Sequence, residues 1–148
     1  MHDTDYPSIE IIIIDNGSVI PETLAWLEEI QQSYMQVRVV SHPGDFNFAK
    51  LNNYAFSFST GQAILLLNND IQVLHANWLS KMTELLQHPQ VGAVGARLLY
   101  PEGTIQHAGI GIDEHGSAWH LYFGESPEDP DHQHDLSITR QVSANTGA

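Results

Sequence analysis

The chain has 148 residues, 42% hydrophobic and 16% charged, which is enough for one domain with a buried core, and no apolar run reaches the roughly 18 to 20 residues of a membrane span. Its net charge of −13, from 18 acidic against 5 basic residues, excludes sequence-independent binding to nucleic-acid backbones or anionic lipid, so a phosphate ligand must be held locally. The absence of Cys excludes disulfides, thiolate metal sites and Cys nucleophiles and fits a reducing compartment, while Met1-His2-Asp3-Thr4-Asp5 is unlike a signal peptide.

Ile9-Glu10-Ile11-Ile12-Ile13-Ile14 is a β-branched run ending at Asp15-Asn16-Gly17-Ser18, a strand followed by turn residues. Pro21-Glu22-Thr23 opens a helix through about Ser33, with Leu24, Leu27 and Ile30 on one face. Val37-Arg38-Val39-Val40 is the next strand, closed by His42-Pro43-Gly44-Asp45. From Asn47 to Ser59, Phe48, Leu51, Ala55 and Phe58 recur at spacings of three and four, which predicts an amphipathic helix stopped by Thr60-Gly61. Ile64-Leu65-Leu66-Leu67 then reads as a strand buried on both faces, halting at Asn68-Asn69-Asp70.

Trp78 to His88 is predicted as a helix with Leu79, Met82, Leu85 and Leu86 inward and Pro89 beyond its end. Val91 to Tyr100 is predicted as a strand, and Pro101-Glu102-Gly103 as a turn. Thr104 to Ile112 and Ser117 to Phe123 are predicted as short strands around Asp113-Glu114-His115-Gly116. Glu125 to Asp135, rich in Pro, Asp and His, reads as a mobile loop.

The βαβαβ alternation of the first 70 residues is the signature of a doubly wound α/β unit. In such sheets ligands collect at the carboxyl ends of the strands, where Asp15 and Asn68-Asn69-Asp70 stand. A hard cation takes carboxylate, phosphate and water oxygens, which makes Asp70 a candidate ligand for Mg²⁺ or Mn²⁺. The competing reading is that Asn-Asn-Asp is turn and cap chemistry ahead of the next helix. The His residues show no helical i, i+4 pair with a Glu, and those at 115, 120, 132 and 134 read as solvated loop residues; spacing assigns no role to His107.

Six motifs in this order, Ile14-Asp15-Asn16-Gly17-Ser18, Phe46 to Asn53, Leu66 to Asp70, Val91 to Ala96, Thr104 to Gly109 and Val142 to Ala148, closely resemble family 2 glycosyltransferases, in particular bacterial enzymes of surface-polysaccharide assembly. The resemblance implies a GT-A fold, a Rossmann-type nucleotide-binding α/β sheet with helices on both faces, followed here by a short β-rich segment. It implies that Asp15 accepts a hydrogen bond from the base, with Asn16 and Gly17 shaping the turn beside it. It places Lys50 and Asn53 at the nucleotide, and Asn68, Asn69 and Asp70 at the DxD position, whose last Asp binds a metal bridging both phosphates. Two Asn replace the acidic pattern, so Asp70 would be the sole strong ligand and metal affinity without nucleotide would be weak.

The implied partners are a UDP- or dTDP-type nucleoside-diphosphate sugar, with Mn²⁺ or Mg²⁺, and a saccharide or lipid-linked acceptor. Relative to the family pattern the chain lacks a first strand and a following acidic motif carrying the general base. A single domain truncated at both ends is therefore expected, with its base beyond Ala148, no turnover of its own, and self-association through an unpaired sheet edge. The expected location is the cytoplasm, at the inner membrane face if further parts of the protein anchor it there. The other functions compatible with the sequence are a sugar-phosphate nucleotidyltransferase, which ordinarily shows a Gly-rich basic phosphate loop not present here, and a non-catalytic nucleotide-binding or scaffold module.

Overall fold

Two short parallel strands carry the N-terminal part: β1 (Ile11–Asp15) lies alongside β2 (Val37–Ser41), with Ile11 opposite Val37 and Asp15 opposite Ser41. A parallel pair needs a crossover, and α1 (Pro21–Ser33) supplies it. Pro21 suits the first turn because its missing N–H has no partner to lose, and Glu22 places a negative charge at the positive end of the helix. α1 packs on β2, and Leu27, Val37 and Val40 are buried, each contributing about 1.5–3 kcal/mol by full burial. α2 (Phe48–Phe56) packs on β1 and begins at Asn47, whose side chain caps it by accepting a hydrogen bond from the Lys50 N–H at 2.9 Å.

The computed structural model describes residues 3–147; Met1, His2 and Ala148, the last residue of the Thr-Gly-Ala segment, lie outside the described residues. The chain divides into two compact units, Tyr6–Leu66 and Met1–Asp5 with Leu67–Ala148. In the second unit α3 (Trp78–Leu86) is tied to the N-terminal stretch by the Trp78 indole, which donates to Thr4 Oγ1 at 3.0 Å. Antiparallel β3 (Leu98–Leu99) and β4 (Ile105–His107) flank the turn at 101–103. β5 (Ile110–Ile112) and β6 (Ala118–His120) form a hairpin whose turn is fixed by Asp113, its carboxylate accepting from the His115 and Ser117 N–H groups. The Glu125 to Asp135 stretch is largely irregular, but its end forms a short helix, α4 (Gln133–Ser137).

The α/β character and the later β-rich segment match the sequence expectation, as do β1, α1, β2, α2 and α3 to within a few residues at their ends. The doubly wound sheet does not: among the described residues there are three separate two-stranded sheets. Ile64 to Leu67 is no strand, and its four side chains are 40–53% exposed. Glu10 clamps the Thr60 and Gly61 N–H groups, and bends at Gln62 and Ala63 follow at once, so the run leaves the clamp without the extended alignment that a ladder on β1 requires. The predicted strand from Val91 to Tyr100 is reduced to Leu98–Leu99. Gly92-Ala93 and Gly95-Ala96 offer little side chain to pack, and interior Gly weakens a strand.

Candidate functional site

The carboxyl edge of the β1–β2 pair holds the first part of the candidate site. Because the strands are parallel, the loops after Asp15 and after Ser41 leave from the same edge. Asp15 is half-buried, and its Oδ1 accepts from the Ser18 N–H at 2.9 Å, closing an Asx-type turn. Hydrogen bonding to Ser18, and secondarily to the Gly17 N–H, holds the Asp15 carboxyl below the usual range against a small opposing desolvation, so it is ionised at neutral pH. Asn16 reaches across to the other loop and donates to the carbonyls of His42 at 2.8 Å and Gly44 at 3.2 Å. Gly17 adopts φ +93°, which L side chains rarely adopt, and faces Pro43. Asn16 thus ties the two loops together, Gly17 allows the turn, and part of the Asp15 carboxylate is occupied by that turn.

Lys50 and Asn53 lie three residues apart on α2, on the same helix face, and both are exposed. No ion pair to Lys50 occurs among the described residues. Behind them the His42 ring stacks on Tyr54, with centroids 4.3 Å apart, and Tyr54 meets Phe58 edge-on at 5.0 Å. This aromatic row fixes the β2–α2 loop against the helix that carries Lys50.

Asn68, Asn69 and Asp70 belong to the other unit, in an exposed turn. The Asp70 carboxylate makes no hydrogen bond or ion pair among the described residues, and no group of three His, Cys, Asp or Glu there could hold a metal ion. These donors fit a hard cation only as one corner of its coordination sphere, with the remaining oxygens brought by a diphosphate and water.

Two groupings escaped the sequence reading. His107, 1% exposed, is among the most buried side chains, at a position to which spacing assigned no role. The period-two alternation of Ile105, His107 and Gly109, all buried, was the available signal. Around it three of the resemblance motifs come together. Gly95 lies in close contact with the Asn145 side chain, Gly109 faces Val142, and Ile110 pairs with Ala144. Glycine is required at 95 because a Cβ there would overlap Asn145.

The second grouping centres on Tyr122, whose φ of +57° is unusual for a non-glycine residue. Its hydroxyl donates to Asp135 at 2.9 Å and accepts from Arg140 at 3.0 Å, while the Arg140 guanidinium lies over the Tyr122 ring. Nearby, Arg97, Pro127, Gln133, Leu136 and Ser137 line a cavity of about 210 Å³.

The profile of the family described as Glycosyl transferase family 2 matches residues 1–135. The O-antigen biosynthesis protein RfbC of Myxococcus xanthus is 40% identical over 127 residues, covering 86% of this chain and 10% of that protein. The "Uncharacterized protein y4gI" of Sinorhizobium fredii is 46% identical over 125 residues, covering 82% of this chain and 14% of that protein. The chain thus spans only a small part of the length of either relative. No solved structure matches.

Proposed function

Because this chain belongs to glycosyl transferase family 2, we propose that it binds the donor, a UDP- or dTDP-type sugar, for an inverting, metal-dependent glycosyl transfer. The observation that carries this reading is the shared carboxyl edge of β1 and β2. It presents an ionised Asp15 at the end of β1 and, by way of the loop after β2, the start of the helix bearing Lys50 and Asn53. On this reading Asp15 accepts from an N–H of the base, and Asn16 and Gly17 hold the turn. Lys50 offers a point charge to the diphosphate in a chain with few cations, and Asn53 offers its amide beside it. Asp70, flanked by Asn68 and Asn69, would hold Mn²⁺ or Mg²⁺, which when bound neutralises charge on the leaving diphosphate. The acceptor would be a saccharide or a lipid-linked saccharide, and the pathway that of a bacterial surface polysaccharide. The name of the Myxococcus relative supports that assignment. No helix among the described residues is long and apolar enough to cross a membrane, so the proposed cytoplasmic setting rests on the donor chemistry.

The direct test is isothermal titration of the chain with UDP and with dTDP, in Mn²⁺ and in EDTA. Binding of at least one of them is expected to be tighter with metal, because one carboxylate and a diphosphate complete a site that neither forms alone. Equal affinity in both buffers would remove the metal from the proposal, and no binding of either nucleotide in any buffer would favour a non-catalytic module. Asp15→Asn is expected to weaken binding by about tenfold in both buffers alike, the worth of one charge-assisted hydrogen bond. A loss seen only with metal would place Asp15 at the phosphates instead of the base.

A further inference from the structure

His107 is buried in β4, and every polar atom of its ring has a partner. Nε2 faces two backbone N–H groups, from Gly109 at 3.3 Å and Thr146 at 3.4 Å, and must accept from both. The ring proton of neutral His107 is therefore on Nδ1, where it is donated across 2.9 Å to Nδ1 of His120. His120 must then be neutral with its own proton on Nε2. Its ring is exposed on β6 and crosses that of His107 at 79°.

We infer that His107 and His120 form a proton-sensitive latch that holds the segment from Val142 to Thr146 against β5. The bonding pattern is satisfied in one protonation state only. A proton added to His120 Nδ1 sets two N–H groups against each other across 2.9 Å, and a proton added to His107 Nε2 faces the N–H groups of Gly109 and Thr146. Either event removes an acceptor on which the latch depends. The segment has few other holds: three backbone bonds between Ile110 and Ser143 or Ala144, the contact of Val142 with Gly109, and that of Asn145 with Gly95.

The Asn145 side chain, hydrogen-bonded to His107, is the neighbour that favours a positive charge on its ring, and it is outweighed by burial and His120. No carboxylate forms an ion pair with either ring among the described residues. The charged neighbour at β4 and β5 is Arg140, whose Nη2 lies 3.5 Å from the Ala108 carbonyl and which is engaged with Tyr122 and Asp135. Glu125, whose backbone pairs with Ile105, directs its carboxylate to His132 at 3.0 Å, and Tyr100 meets the rings only through Phe123. Burial, and then the neighbouring His120, push the His107 pKa down, opposed by a hydrogen bond to Asn145. A depressed His pKa in the folded state stabilises that state above the unfolded value, and the stabilisation is lost as pH falls below it toward the folded pKa. The latch is thus closed at neutral pH and opens on the acid side.

Hydrogen exchange of the Ile110, Ser143, Ala144 and Thr146 amides, followed by NMR from about pH 8 to about pH 5 and corrected for intrinsic exchange, tests this. Protection of these four amides is expected to fall about tenfold or more across that range, while the β1–β2 ladder keeps its own. In His120→Gln the amide oxygen accepts the same bond from His107 but takes no proton, so one of the two events that break the pattern is removed and the pH response is expected to differ from that of the wild type. Because His120 is exposed, this variant perturbs packing little. Protection that does not change with pH in the wild type, or a pH response identical in wild type and His120→Gln, would overturn the latch.

Discussion

Asp70→Asn is expected to abolish the tightening of nucleoside-diphosphate binding by Mn²⁺ while leaving the affinity in EDTA unchanged. Asp70 is an exposed carboxylate with no partner among the described residues, and Asn68 and Asn69 beside it offer only neutral amide oxygens. Replacing the single anionic ligand by a third amide removes a charge-assisted contact worth about 1.5–3 kcal/mol, or about ten- to a hundredfold in the metal-dependent increment. Titrations of wild type and variant in both buffers measure it. An increment that survives in the variant would dismiss Asp70 as the ligand and leave Asn68-Asn69-Asp70 as an ordinary turn. Since Asp70 makes no fold contact among the described residues, the variant should melt with the wild type, which separates loss of a ligand from loss of structure.

Gly109→Ala is expected to be severely destabilising. The residue has φ +106°, and a Cβ there would lie 2.5 Å from Val142 Cγ1 and 3.0 Å from Val142 Cβ. Backbone strain of about 1–3 kcal/mol adds to a similar overpacking cost, giving a loss of about 2–6 kcal/mol, a large part of a typical domain's stability. Gly103→Ala is the control, because Gly103 has φ +92° and nothing within 4 Å of its Cβ position. Urea unfolding of both variants should show the larger loss at 109, the difference measuring the Val142 contact. Equal losses would mean that Val142 yields freely.

What could be read in the chain beforehand was mostly local. Pro21 at the start of α1, Asn47 capping α2 and the β-branched run into Asp15 act within a few residues, and each marks its element in the structure. The apolar run from Ile64 to Leu67 failed as a strand because burial depends on a partner strand, and apolar character alone does not supply one. The clamp that redirects the chain before it comes from Glu10, 50 residues away from Thr60 and invisible to any local pattern. At the candidate site, the turn residues Asn16 and Gly17 were legible because their geometry is local. What Asn16 holds was not, since its carbonyl partners are 26 and 28 residues away. His107 escaped the reading: the alternation that marks the inward face of its strand went unused, and the His120 imidazole and the distant Thr146 amide that complete its bonding could not be inferred from spacing.

The reach of Asn16 into the neighbouring loop also bears on how any ligand would be received at that edge. Fixing the backbone of one residue costs about 1–2 kcal/mol in conformational entropy, and a loop that orders only around its ligand subtracts that cost from the binding free energy. With the His42 and Gly44 carbonyls already held by one amide, both loops are ordered before an encounter. Contacts made there convert to affinity with little entropic loss, and association at this edge is a docking step without a preceding search through loop conformations.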